Sequence, residues 1–166
     1  FKTKKIKRLT NNRYAEILPA WSSDGSMIAF STDELALERG RNNGAWQMNL
    51  AVMDVVNGSV DNIDVFPGAD NMNPQFDKDG NLYFLSNRDG FRNLYKYDFG
   101  RKKVWQLTNI TTGITGITPY SPALTISEDK DKILYTHYTN HEYVIYQAKS
   151  EDFTAVETDP AAVDMV

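Results

Sequence analysis

Short apolar runs alternate with polar residues along the whole chain, and a helical period is almost absent. Met27-Ile28-Ala29-Phe30, Leu82-Tyr83-Phe84-Leu85 and Ile133-Leu134-Tyr135-Thr136 are typical runs. They are rich in residues that suit a pleated surface, and Gly, Asn and Asp separate them. Asn tolerates left-handed backbone and bonds its own turn, so the separators carry turn chemistry. The pattern predicts an all-β chain.

The spacing of the runs predicts an internal repeat. Three segments begin with Pro, one residue and an apolar residue: Pro19-Ala20-Trp21, Pro74-Gln75-Phe76 and Pro122-Ala123-Leu124, 55 and 48 residues apart. An Asp-Gly turn follows the first two, at Asp24-Gly25 and Asp79-Gly80, while the third has Glu128-Asp129-Lys130-Asp131 and no Gly. Each turn leads into a second strand, and a third follows at Asn49–Asp54, Asn93–Asp98 and Tyr143–Tyr146. A fourth strand closes the first two units at Ser59–Asp64 and Val104–Thr108; in the third only Asp152–Val156 could serve. Lys5–Thr10, ending in Leu9-Thr10 like Leu107-Thr108, reads as an orphan fourth strand. Four antiparallel strands per unit of about 40–55 residues predict β-propeller blades. A β-sandwich is the alternative, but it leaves the recurring proline unexplained. The predicted architecture is a 1–150 partial propeller with three four-stranded blades over about 19–64, 74–108 and 120–148, residues 5–10 as an outer strand, and an acidic tail at 151–166.

Pro19-Ala20-Trp21-Ser22-Ser23-Asp24-Gly25-Ser26-Met27-Ile28-Ala29-Phe30 resembles the repeat of TolB-like propellers, P-x-W-S-P-D-G-x-x-I-A-F, a WD-repeat-like blade unit. The Leu-Thr pairs resemble that family's blade ends, and the likeness covers residues 5–148. Unit two has Phe76-Asp77-Lys78 where Trp-Ser-Pro would stand, and unit three has lost the Asp-Gly. The resemblance implies a bacterial, periplasmic or otherwise exported propeller of the cell envelope, often six-bladed. It implies a non-catalytic protein-binding or scaffold role. Similar propellers also occur as accessory domains of larger peptidases, and propeller-shaped carbohydrate-active enzymes give the enzyme alternative. The repeats carry over no partner-binding residue.

Antiparallel alternation sorts the loops onto two faces. The Asp-Gly turns share one; Glu34–Gln47, Val65–Asn73 and Asn109–Ser121 share the other. Long loops on a rigid scaffold are the usual place for binding. The candidate binding residues are therefore Arg39, Arg41, Trp46, Asp70, Asn71, Arg88, Phe91 and Tyr120. The first long loop is expected to open as a helical turn capped by Thr32 or Asp33 and ended by Gly40, and its Arg and Trp suit protein recognition.

Composition narrows the function. The chain has 166 residues, 9 Tyr, 8 Phe and 3 Trp, which excludes disorder. Its apolar runs are too short to span a membrane. A net charge of −4 argues against nucleic acid as the main partner. Zero Cys excludes disulfides and thiolate chemistry. No H-E-x-x-H, G-x-S-x-G, Walker loop or G-x-G-x-x-G occurs, so no catalytic residue and no cofactor is assigned. Asp77-Lys78-Asp79-Gly80-Asn81 begins like a calcium loop but has Leu82 and Arg88 where Gly and Glu are needed. His137 and His141 flank a hairpin turn around Thr139-Asn140 and are read as turn residues, so no metal ligand is assigned.

Three blades leave two apolar flanks without neighbours. The chain begins at Phe1 without Met or a signal pattern and reads as a processed or excised piece. Two solutions follow. Two copies form a six-bladed ring in which Lys5–Thr10 of one completes unit three of the other, or the missing blades belong to a longer chain. A basic start (Lys2, Lys4, Lys5, Lys7, Arg8, Arg13) would then meet an acidic end (Glu151, Asp152, Glu157, Asp159, Asp164).

Overall fold

The structure, a computed structural model, describes residues 6–40, 47–127 and 132–164. Blade one is the sheet β1 (Glu16–Trp21), β2 (Met27–Thr32), β3 (Asn49–Asp54) and β4 (Val60–Ile63), in that order. Blade two repeats it with β5 (Asn71–Phe76), β6 (Leu82–Ser86), β7 (Asn93–Asp98) and β8 (Lys103–Gln106). Among the described residues blade three holds β9 (Leu124–Ile126), β10 (Lys132–Thr139) and β11 (Glu142–Lys149). All pairings are antiparallel, and the first strands β1, β5 and β9 lie side by side as the inner edge.

The first two recurring prolines mark bulges, while Pro122 lies just before β9. Register shifts between Ile17 and Ala20 in β1, and between Met72 and Gln75 in β5. Leu18 and Asn73, the residues before Pro19 and Pro74, stand at φ 56° and 55°. Proline has no N–H to give a ladder, so a bulge is where an inner strand tolerates it.

Three sheets of four, five and three strands replace the three four-stranded blades expected. After β11 the chain turns through a 3₁₀ turn at Ser150–Asp152, and β12 (Val156–Thr158) pairs with β8 as a fifth strand of blade two. Asp152–Val156 therefore does not close blade three. The outer edge of β8 offers its unpaired backbone groups, and Lys103 Nζ pairs with Glu157 Oε1 at 2.8 Å. The described part of the acidic stretch runs on across blade two, where the Phe66 N–H donates to the Pro160 carbonyl at 2.6 Å and Val163 packs on the core.

The orphan strand joins no sheet among the described residues of this chain. Lys5 lies outside the described residues, and Ile6–Thr10 join no strand. Leu9 instead lies over a groove with Ile28, Phe30 and Met53, and Thr10 and Asn12 both bond the Glu16 carboxylate. Ile28 and Phe30 are buried, as expected, but on the outward flank of blade one rather than between two blades of this chain.

Alternation divides the core between the seams. Ala29, Leu50 and Val52 of blade one meet Leu82, Phe84, Tyr95 and Val104 of blade two around the fully buried Phe66 ring. The opposite face of blade two, Tyr83, Leu85 and Leu94, meets Leu124 and Ile133 of blade three. Among the described residues β11 pairs only with β10, and Ile145 on it is 71% exposed.

Candidate functional site

Short turns close one end of the sheets. Ser22 and Asp77 begin equivalent turns: Gly25 N–H donates to the Ser22 carbonyl and Gly80 N–H to that of Asp77. Both glycines need left-handed backbone, φ 71° and 79°. The Asp77 carboxylate is occupied by the N–H groups of Asp79 and Asn81 and by Lys96 Nζ at 3.2 Å. These are donors where a calcium loop would present oxygens.

The long segments converge on the other end. Met48 N–H donates to Asp70 Oδ1 at 2.9 Å, and Asp70 N–H donates to Asn87 Oδ1 at 2.7 Å. Further round, Ile114 N–H donates to the Arg92 carbonyl at 2.7 Å, and Arg92 Nη1 donates to the Pro119 carbonyl at 2.9 Å. One contiguous rim thus runs from the β2–β3 loop through the β6–β7 turn to the β8–β9 connection. Trp21 and the Asp-Gly turns lie at the opposite end of the strands.

Several expected residues stand on this rim. Helix α1 (Glu34–Glu38) follows Asp33, and the Glu34 N–H reaches Thr32 Oγ1 at 3.3 Å. Arg39 then pairs with Asp64 at 2.6 Å in an exposed ion pair, which contributes little to stability. Arg41 and Trp46 lie outside the described residues. Asn71 is buried; its Nδ2 donates to the Val65 carbonyl at 2.8 Å, and its Oδ1 accepts nothing among the described residues. It lines a cavity at the seam of blades one and two with Arg39, Met48 and Phe66. Phe91 and Tyr120 are half exposed.

Arg88 is the least conventional of them. Its guanidinium sits 5.1 Å over the Phe66 ring, and its buried Nε and Nη1 have no hydrogen-bond acceptor among the described residues. The aromatic face compensates part of the charge. Next to it, Asp89 Oδ2 accepts from Tyr95 Oη and Gln106 Nε2, at 3.3 and 3.1 Å. Burial, then the Asp89 charge, pushes the Tyr95 phenol up.

Sequence reasoning missed Arg92. It is half-buried, and burial lowers its pKa while Asp70 and Tyr120 pull the other way. Burial pushes Asp70 up against the Met48 N–H and Arg92. A groove at the seam of blades two and three contains Arg92 together with Phe91, Tyr143 and the 112–119 segment. The Arg88-x-x-x-Arg92 spacing in one short turn was the available signal. His137 serves this connection: its Nδ1 lies 3.1 Å from the Gly113 carbonyl, and its backbone bridges to Ile114. Asn140 and His141, at φ 49° and 69°, make the hairpin turn itself.

Among the described residues no helix is long and apolar enough to cross a membrane. No protein-family model matches the sequence, and no curated protein sequence matches it. Solved structures do match by fold. TolB from Acinetobacter baumannii superposes with a TM-score of 0.59 at 23% identity, over 89% of this chain and 33% of that one. A TolB from Agrobacterium tumefaciens gives 0.62 at 17% identity, over 90% and 50%. A puromycin hydrolase gives 0.59 at 13% identity, over 92% and 22%. The chain spans a third to a half of the length of these TolB structures. With its repeated blades and its inner edge of first strands, it is a partial β-propeller with the fold of the TolB proteins.

Proposed function

We propose that the chain is a non-catalytic protein-binding or scaffold propeller of the bacterial cell envelope, exported to the periplasm, whose working surface is the long-loop rim. One observation carries the reading. The rim combines half-exposed Phe91 and Tyr120 with two arginines, Arg88 and Arg92, that have buried donors lacking acceptors. Aromatic and Arg side chains dominate binding energy at protein interfaces. A motif census without a nucleophile or metal site supports the absence of catalysis in this chain. The envelope location rests on the likeness to TolB structures.

A second copy completing a six-bladed ring belongs to the same reading. Its support is the open flanks: Trp21 is 60% exposed on blade one and Ile145 71% exposed on blade three. The alternative, an accessory propeller of a larger enzyme, is favoured by the fold likeness to the puromycin hydrolase, of which the chain covers 22%. A hydrolase domain beside these residues in the full gene product would select it.

The test compares the immobilised chain with its Phe91→Ala/Tyr120→Ala double variant, each presented with envelope extract of the source cells. The reading expects a protein retained by the first and lost from the second. Proteins retained equally by both, or by neither, contradict it.

A further inference from the structure

The groove at the seam of blades two and three is built around one charge. Its floor is the backbone of the 112–119 connection, pressed against blade two. A Cβ at Gly113 would lie 3.1 Å from the Arg92 backbone nitrogen, and one at Gly116 would lie 2.5 Å from the Ser121 Cβ. Both positions therefore keep the floor bare and close to its neighbours. The floor is tied to blade three as well, since Thr136 Oγ1 donates to the Thr115 carbonyl at 2.9 Å.

Among the described residues, Arg92 is the one charged residue lining this groove. Its Nη1 is committed to the Pro119 carbonyl, its Nη2 meets only the Met72 sulfur at 4.0 Å, and its buried Nε has no acceptor. Among the described residues no carboxylate lies within ion-pair distance of it. The Asp70 charge acts on it from beyond contact, and its one direct oxygen partner is a neutral carbonyl, so the half-buried guanidinium is under-compensated; a carboxylate in contact is the group that best matches it. Around it stand three large side chains in water: Phe91 49%, Tyr143 45% and Ile117 81% exposed. A central cation inside an apolar rim is the composition of an interface hot spot. The chain as a whole is acidic, at −4, so this patch runs against the overall charge.

We infer that this groove receives an acidic side chain of an extended segment of a protein partner, with the carboxylate on Arg92 and flanking apolar residues on Phe91, Ile117 and Tyr143. The inference rests on the protein-binding reading and names the partner's chemistry. A nucleic acid or lipid headgroup would meet one cation in this groove of an acidic protein, too little for phosphate-driven binding.

The probe is a phage-displayed library of random ten-residue peptides selected on the whole chain. Selected peptides are then made in soluble form, each with a counterpart in which the acid is replaced by its amide. Binding is read by fluorescence anisotropy, and its place by the amide NMR signals of Gly113 and Gly116. The expected peptides share an Asp or Glu beside apolar residues. They shift Gly113 and Gly116, and lose tenfold or more in affinity on amidation of that acid. Amidation leaves the protein untouched, so the result does not depend on how Arg92→Gln folds; Phe91→Ala, at the exposed rim, should weaken the same peptides. Peptides that bind the loop rim without needing the acid overturn the inference and leave the protein-binding reading standing. Sodium acetate alone reproducing the shifts, with no gain from the peptide, also overturns it. Selection yielding no peptide that perturbs any rim amide overturns both.

Discussion

Asn73 and Leu124 exchange two hydrogen bonds across the seam of blades two and three. The Leu124 N–H donates to Asn73 Oδ1 at 3.0 Å, and Asn73 Nδ2 donates to the Leu124 carbonyl at 3.2 Å. Ala123 N–H adds a third, to Oδ1 at 2.7 Å. The bulge before Pro74 places this side chain there, and Asn tolerates its φ of 55°. Asn73→Ala would strand buried N–H groups and lose a residue suited to left-handed backbone. The expected loss is about 2–4 kcal/mol in urea unfolding. An unchanged midpoint would show that the two inner strands hold together without this side chain.

The bulge shows what the chain's own pattern reveals and what it hides. Strands three of the first two units, Asn49–Asp54 and Asn93–Asp98, were readable residue by residue, because alternation and the repeat spacing marked both. The prolines announced the repeat, but not that Pro19 and Pro74 sit inside strands beginning three residues earlier, since a bulge is defined by its partner strand. Val156–Thr158 has no meaning as a strand until β8 is beside it. The site divides in the same way. Phe91 and Tyr120 follow from loop placement alone. Arg92 matters because a connection some twenty residues further on packs against its backbone, which no local pattern encodes.

That packing makes the glycines of the connection intolerant. Gly116→Ala meets Ser121 at 2.5 Å, and Gly113→Ala combines a 3.1 Å approach to Arg92 with φ 73°. Each should destabilise by about 1–3 kcal/mol, as overpacking does. Gly25→Ala, in open space at φ 71°, isolates the conformational part of the effect. A loss at Gly113 no larger than at Gly25 would mean that the connection does not bear on Arg92. Thermal or urea unfolding reads all three.

Two carboxyls should respond to pH with opposite signs. The Ser22 hydroxyl, then the Ser26 N–H and hydroxyl, hold Asp24 down to about 2 against an ordinary value of 3.8. Its folded pKa is depressed, so its stabilising contribution is complete above the unfolded value and is lost as pH falls through about 2. Asp70 is the reverse. Burial raises it, so the stability its proton confers is present below the unfolded value and lost as pH rises through the folded one. Carboxyl NMR titration should find the two midpoints on opposite sides of 3.8. Asp70→Asn, which keeps an oxygen for the Met48 N–H, should remove the second loss and leave the first.

The C-terminal segment is part of the blade-two body. Removing residues after Ser150 would uncover the β8 edge, unpair Phe66 N–H from Pro160 and withdraw Val163 from the core. The truncated chain should unfold at lower urea and associate through β8, whose bare edge then invites pairing. Sedimentation and unfolding curves matching the full chain would show that the segment merely rests on the surface.

Placement of the binding surface on the long-loop rim is the central claim, and site-specific photo-cross-linking tests it most directly. Benzoylphenylalanine is introduced in the source cells at Phe91 on the loop rim, or at Ser23 in the turn at the opposite end of the sheets. Both side chains reach solvent, so neither replacement disturbs the core. The account predicts a discrete cross-linked protein from position 91 and none from position 23. A partner captured from position 23 and not from position 91 would contradict it.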